Sequence, residues 1–309
     1  MDIGYIGLGS MGGSLAERLV LSCPLLVHDR DRDAVDRLVA NGATSAASAA
    51  DLASRSDVIF LCLPTSTHVR DVLFGDHGIA SYFRPGTIVI DQTTGDPSAT
   101  RSMAGDLIAC GSELVDAPVS GGPRGASAGT IAIMVGASEV QFAKLQPILE
   151  LISPNVFHAG DVGSGHTIKL VNNLVSTATR LLTFEAMSLA DKNGVRPDVA
   201  FRILMASGAR NAYLERIFGP YVLEGDLAAG YTLGLAHKDV RIACELGVES
   251  GVPMFFGNLT RELYQMYVNE LGADAKVDTA ALVVDRLAGT EVIPENHHAQ
   301  GATTIRRAT

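Results

Sequence analysis

Short apolar runs alternate with amphipathic stretches along the first half of the chain: IGYIG (3–7), LLVHD (25–29), DVIFLCLP (57–64), GTIVIDQ (86–92), ELVDAPV (113–119) and TIAIMVG (130–136). Runs that are apolar throughout, separated by segments of helical period, suit strands buried on both faces. The pattern therefore predicts a parallel sheet covered by helices. After VFHAGDVGSG (156–165) the strand signal stops, and the chain to about residue 288 reads as helical. From Thr167 to Asn193 there is no Gly or Pro, and Ile168, Val171, Leu174, Val175, Ala178, Leu181 and Leu182 form an apolar stripe at helical period. A helix of that length reaches about 40 Å and could serve as the spine of a domain. Glycines in GVRP, ASGAR, GDLAAG and LGVESGVP divide the remainder into several helices. The expected division is an α/β domain over residues 1–164 and an all-α C-terminal domain over 165–309, the latter ending in a polar tail.

Composition narrows the function classes. The 309 residues are 47% hydrophobic, enough for two moderate cores, with a mean hydropathy of +0.22. Formal net charge is −10 and no Lys/Arg run exceeds two residues, which argues against nucleic acid and anionic lipid as partners. Neither an apolar run near 18 residues nor a signal-peptide pattern at Met1 is present, so no membrane span is expected and a cytoplasmic location is. Cys23, Cys62, Cys110 and Cys244 are scattered without ligand spacing, and read as reduced, mostly buried thiols rather than disulfides or a zinc site. The His297-His298 pair sits in the polar tail and gives metal binding little support.

Chemistry enters with IGYIGLGSMGGSLAERL, where Gly7, Gly9 and Gly12 form G-x-G-x-x-G directly after a strand and at the start of a helix. Such glycines permit a tight turn and close backbone approach to a pyrophosphate at the positive end of the helix. The next strand ends in Asp29, placed to accept hydrogen bonds from ribose hydroxyls. A glycine-rich turn with a surface Asp explains each part but not the coincidence, so the first domain reads as a dinucleotide-binding Rossmann domain. Asp29 favours NAD by repelling a 2'-phosphate, while Arg30 and Arg32 leave NADP as the alternative.

In the second half, SGHTIKLVNN (164–173) sets Lys169 and Asn173 four residues apart, hence on one face of the long helix. The bland alternative is a lysine snorkelling to solvent. No tyrosine is followed four residues later by lysine, which leaves Lys169 as the candidate acid/base.

Taken in order, GLGSMG (7–12), Leu63-Pro64, DQTTGDP (91–97), DAPVSGG (116–122), GSGHTIKLVNN (163–173) and HKDV (237–240) resemble the β-hydroxyacid dehydrogenase family, which includes 3-hydroxyisobutyrate dehydrogenase and tartronate semialdehyde reductase. The resemblance implies a cofactor site built from Gly7, Leu8, Gly9, Ser10, Met11, Gly12, Asp29, Arg30, Leu63, Pro64 and Thr94, with Lys238 near the nicotinamide end. It further implies that Ser120, Gly121 and Gly122 hold the substrate carboxylate, that Asn173 binds substrate, and that Lys169 is catalytic. Physical chemistry agrees: a hydroxyl and a Gly-Gly backbone can donate several hydrogen bonds to an anion, and a partly desolvated lysine has a pKa lowered toward neutrality. Bland alternatives remain, namely a strand-ending turn at Ser120–Gly122, turn chemistry at Thr94 and a surface ion pair at Lys238-Asp239. Arg124 is a candidate for recognising a further anionic group, or else a solvated loop arginine. Thr93-Thr94 and Tyr231 depart from the family's usual Ser-Thr and Phe, which leaves the substrate's identity open.

The function expected is NAD(P)-dependent interconversion of a short 3-hydroxy carboxylic acid and its 3-oxo acid or semialdehyde, with no metal. A 6-phosphogluconate-type oxidative decarboxylase, an imine reductase and a non-catalytic dinucleotide-binding scaffold are the rivals. The long apolar helical half points to a homodimer or homotetramer.

Overall fold

The computed structural model describes residues 1–228 and 230–294, which leaves the His297-His298 pair outside the described residues. It separates into two compact units, Met1–Lys169 and a second that begins at Leu170.

The first unit holds nine strands: β1 (Ile3–Ile6), β2 (Leu25–His28), β3 (Thr44–Ser45), β4 (Val58–Leu61), β5 (Ile88–Asp91), β6 (Glu113–Asp116), β7 (Val119–Ser120), β8 (Ala132–Gly136) and β9 (Val156–Gly160). Helices α1 (Ser10–Val20), α2 (Arg32–Ala40), α3 (Ala49–Arg55), α4 (Ser66–Phe74), α5 (Pro97–Ala109), α6 (Gly122–Ser127) and α7 (Glu139–Leu149) connect them. Sheet order is β3-β2-β1-β4-β5-β6-β8-β7, with β9 also paired to β8. All four residues of β1, β4 and β5 are buried, as expected of strands covered on both faces. The chain winds outward through β2 and β3 on one side of β1, then returns to β4 on the other. The resulting switch point lies at the carboxyl ends of β1 and β4, where such sheets bind ligands.

Pairing is parallel from β3 through β6, and β7 and β8 depart from it: β8 runs antiparallel to both β6 and β7. The link from β7 to β8 contains only the short helix α6, too little chain for a right-handed crossover, so the strand returns antiparallel. Side-chain oxygens of Asp31, Ser48, Thr65, Asp96 and Ser138 accept from first-turn N–H groups and set the starts of α2, α3, α4, α5 and α7.

Helix α8 (Ser164–Lys192) carries the chain out of the first unit. The second unit is helical, with α9 (Pro197–Ala206), α10 (Leu233–Ser250), α11 (Phe255–Leu271) and α12 (Ala280–Ala288) around a core that includes Leu181, Phe184, Met187, Phe218 and Tyr264. Here the stripe drawn from the sequence needs correction. Ile168, Val171, Val175 and Leu182 are exposed, whereas His166, Lys169, Leu170, Asn173, Thr177, Arg180 and Leu181 lie on the buried face. Polar partners elsewhere in the fold make that burial tolerable. Among the described residues no helix is long and apolar enough to cross a membrane, and no group of three or more His, Cys, Asp or Glu could hold a metal ion. All four cysteines are free; Cys244 is buried, Cys23 and Cys62 are half-buried, and Cys110 is exposed, so the thiols are less buried than expected.

Candidate functional site

The glycine loop joins β1 to α1, and its three glycines have different reasons. Gly7 has φ +96°, and a Cβ there would overlap the Cys62 carbonyl oxygen. A Cβ at Gly12 would overlap the Gly7 carbonyl oxygen, so this glycine lets the helix pack on the loop. A Cβ at Gly9 would meet no protein atom within 4 Å. Gly9 is the N-cap of α1, whose first turn has neither a side-chain cap nor an acidic residue. Its leading N–H groups and the helix dipole thus favour an anion. Leu8 is buried in the core, Met11 packs against that core, and Ser10 is exposed.

Asp29, just beyond β2, is tied into this loop: Leu8 N–H donates to Oδ2 at 2.5 Å and Asp31 N–H to Oδ1 at 2.8 Å. The half-buried carboxylate thereby fixes the turn, and each oxygen retains a lone pair for a hydroxyl donor. Arg30 and Arg32 are exposed beside it. Half-buried Leu63 and exposed Pro64 follow β4, and Leu63 N–H donates to Thr93 Oγ1 at 3.1 Å. Thr93 is buried and the adjacent Thr94 half-buried, so the loops after β1, β4 and β5 assemble at the switch point. The open face at Gly9, the uncapped helix start and the placed carboxylate together fit a dinucleotide.

Ser120 ends β7, half-buried, and the chain then passes through two exposed glycines with positive φ, Gly121 (+142°) and Gly122 (+65°). Arg124 is exposed on α6. One sequence-quoted motif reaches much further than its expected role. Asp116, at the end of β6, accepts from Gly163 N–H at 2.6 Å and from His166 N–H at 2.7 Å, and so caps the start of α8. The His166 Nε2 donates to the Thr93 carbonyl at 2.8 Å, and its Nδ1 shares a 2.8 Å hydrogen bond with Thr100 Oγ1. Asp91 and Asp116 oxygens stand 4.0 and 3.9 Å from the two ring nitrogens. Burial pushes the Asp91 carboxyl pKa up, against the opposing pull of His166. One turn along α8, Lys169 is only 9% exposed, so it does not snorkel to solvent.

In the second unit, Asn173 Nδ2 donates to Asp239 Oδ2 at 2.6 Å, and Lys238 Nζ lies 3.1 Å from Asp239 Oδ1. Asp239 thus joins two residues singled out in the sequence, and its side chain is 6% exposed beside a lysine at 14%. This is no surface ion pair. Deeper on α8, Arg180 pairs with buried Asp278 at 2.9 Å and lies over the Tyr213 ring, whose hydroxyl donates to Asp278 at 2.7 Å. Sequence reasoning assigned no role to Asp91, Asp116, His166, Asp239, Arg180 or Asp278. The first four sit inside motifs it quoted, and the available signal for Arg180 was its place at helical spacing after Asn173 and Thr177 on one polar face of the long helix.

Comparison with known proteins agrees along the chain. Residues 2–160 match the family model described as the NAD binding domain of 6-phosphogluconate dehydrogenase, and residues 163–284 match that described as NAD-binding of NADP-dependent 3-hydroxyisobutyrate dehydrogenase. A 2-(hydroxymethyl)glutarate dehydrogenase of Eubacterium barkeri is 37% identical over 86% of this chain and 88% of its own. A probable mitochondrial 3-hydroxyisobutyrate dehydrogenase of Dictyostelium discoideum is 39% identical over 86% and 85%. The solved structure of Mycobacterium tuberculosis 3-hydroxyisobutyrate dehydrogenase with L-serine superposes with a TM-score of 0.81 at 25% identity, covering 92% of this chain and 98% of that one.

Proposed function

The chain belongs to the β-hydroxyacid dehydrogenase family, a nicotinamide-dependent oxidoreductase family, and on that premise we propose that it interconverts a small unphosphorylated 3-hydroxy acid and its 3-oxo acid or semialdehyde with Lys169 as general acid/base. The observation that carries this reading is a lysine nine-tenths buried near the start of α8, with Asn173 one turn further on and anchored by Asp239. In the oxidation, the neutral Lys169 amine takes the substrate hydroxyl proton as the carbonyl forms; in the reduction, its ammonium returns a proton to the carbonyl oxygen. A bound nicotinamide supplies the two-electron acceptor or donor. Asn173, its amide held by Asp239, orients the reacting oxygen, and Ser120 with the amides of Gly121 and Gly122 receives the carboxylate.

Residues 1–164 hold the dinucleotide in this reading, through Gly7–Gly12, Asp29, Leu63, Pro64 and Thr94, with Lys238 at the nicotinamide end. NAD is preferred to NADP because Asp29 is anchored where a 2'-phosphate would meet like charge. Residues 165–309 bind substrate and join copies of the chain into a homodimer or homotetramer. The exposed row Val171, Val175, Leu182 and Leu189 supports that assembly, and a monomeric mass by light scattering would overturn it. The free cysteines suit a reducing compartment, the cytoplasm, which cell fractionation checks.

The test is a panel of 3-hydroxy acids and aldehyde acids followed by absorbance of the reduced nicotinamide, with both cofactors. Lys169→Met should lower kcat by roughly two to four orders of magnitude. Arg124→Ala should raise KM more for acids with an added anionic group than for aliphatic ones, by about the tenfold or more that one charge-assisted hydrogen bond supplies. Unchanged kcat in Lys169→Met sinks the lysine's role, and preference for a phosphorylated sugar acid with release of carbon dioxide sinks the substrate class.

A further inference from the structure

We propose that His166 is a positioning residue that holds the catalytic lysine in register with the cofactor loop after β5, an inference that rests on the role given to Lys169 above. The imidazole is fully buried and bridges two elements that the chain brings in from far upstream. Because a carbonyl oxygen only accepts, the 2.8 Å contact with Thr93 O requires the proton on Nε2. That bond ties the first turn of α8 to the residue whose own hydroxyl receives Leu63 N–H, and which precedes Thr94. A single relay thus runs from the Leu63-Pro64 loop through Thr93 to His166, and Lys169 follows three residues later on the same helix face.

The surrounding packing leaves the ring no freedom. A Cβ at Gly95 would stand 2.9 Å from its Cε1, and Nδ1 lies 2.8 Å from Thr100 Oγ1, whose hydroxyl is also 2.9 Å from the Asp96 carbonyl. On the backbone side, Asp116 grips the N–H groups of Gly163 and His166, and a Cβ at Gly165 would approach Asp116 Oδ2 to 2.9 Å. The first turn of α8 is therefore fixed by the Asp116 cap and by the His166 side chain. The second of these links it directly to the cofactor loop. A small displacement of a positioned acid/base costs far more in rate than in stability, on the order of a hundredfold for about 1 Å.

Two substitutions separate the bonds. His166→Gln can still present an N–H near the Nε2 position and reach Thr93 O, whereas His166→Asn reaches only as far as Nδ1 and loses that link. The experiment measures kcat, the deuterium isotope effect on kcat with substrate labelled at the carbinol carbon, and NAD affinity by fluorescence, in wild type, both His166 variants and Lys169→Met. We expect His166→Asn to bind NAD within about threefold of wild type, to lose roughly ten- to a hundredfold in kcat and to show a raised isotope effect, with His166→Gln restoring most of the rate. Wild-type kcat and isotope effect in His166→Asn overturn the proposal, as do equal losses of rate and NAD affinity in both variants, the mark of a merely structural role. If His166→Asn does not fold, Thr100→Val, which removes the hydroxyl that steadies the ring at Nδ1 and so loosens its bond to Thr93 O, is read in its place: a lower kcat with a raised isotope effect supports the proposal and wild-type values overturn it. Slow Lys169→Met with normal His166→Asn sinks only the positioning role. Wild-type turnover in Lys169→Met sinks the catalytic lysine, and the positioning role with it.

Discussion

Gly9→Ala and Gly12→Ala should separate cofactor binding from folding, although the two glycines are three residues apart in one loop. A Cβ at Gly9 would meet nothing within 4 Å, and its backbone (φ −63°, ψ −167°) suits any residue. Stability should therefore change by no more than about 0.5 kcal/mol, as for a surface substitution. The added methyl would nevertheless stand where a pyrophosphate must approach the amides of α1. Loss of one charge-assisted hydrogen bond costs about 1.5–3 kcal/mol, or roughly a 10- to 100-fold weaker NAD Kd. At Gly12 the Cβ would fall far inside the 3.0 Å that Cβ atoms do not breach, against the backbone carbonyl of Gly7, which cannot swing aside. Overpacking of this kind costs about 1–3 kcal/mol or more, and each kcal/mol lowers Tm by about 2–4 °C in a unit of this size. Calorimetry and fluorescence titration with NAD read the two effects. Wild-type NAD affinity in Gly9→Ala would remove the glycine loop as the pyrophosphate site, and wild-type stability in Gly12→Ala would refute the packing argument.

Two further outcomes follow from the first unit. Asp29→Asn combined with Asp31→Arg should raise NADP use relative to NAD, because it removes the like charge while Asn still accepts from Leu8 N–H; cofactor kinetics check it, and a wild type that already prefers NADP would contradict the reading of Asp29. The folded-state pKa of Asp91 is raised by burial, so the stability it contributes is full below the ordinary carboxylate range and is lost as pH rises through the raised value. Urea unfolding across acidic pH should accordingly show wild type losing stability relative to Asp91→Asn as pH increases, and a constant difference would overturn this.

Local sequence determined much of the scaffold. Continuous apolar runs were enough to place β1, β2, β4, β5 and β6, because a strand covered on both faces needs no polar position. The glycine loop was legible for a similar reason: strand, turn and helix follow one another within a few residues. By contrast, β3 consists of exposed Thr44 and Ser45, held only by pairing with β2, and nothing in those two residues announces a strand. Nor does an apolar run state its direction, so the antiparallel entry of β8 was decided by how little chain joins it to β7. The long helix shows the limit most clearly. Its apolar residues marked one face for burial, yet Val171, Val175 and Leu182 stand exposed while Lys169, Asn173 and Arg180 are buried. A buried polar group is tolerable only with a partner, and the partners of this helix lie far away in sequence: Asp116 is 50 residues from His166, and Asp239 is 66 from Asn173. Only the tertiary fold brings those carboxylates to the helix, and with them it decides which face turns inward.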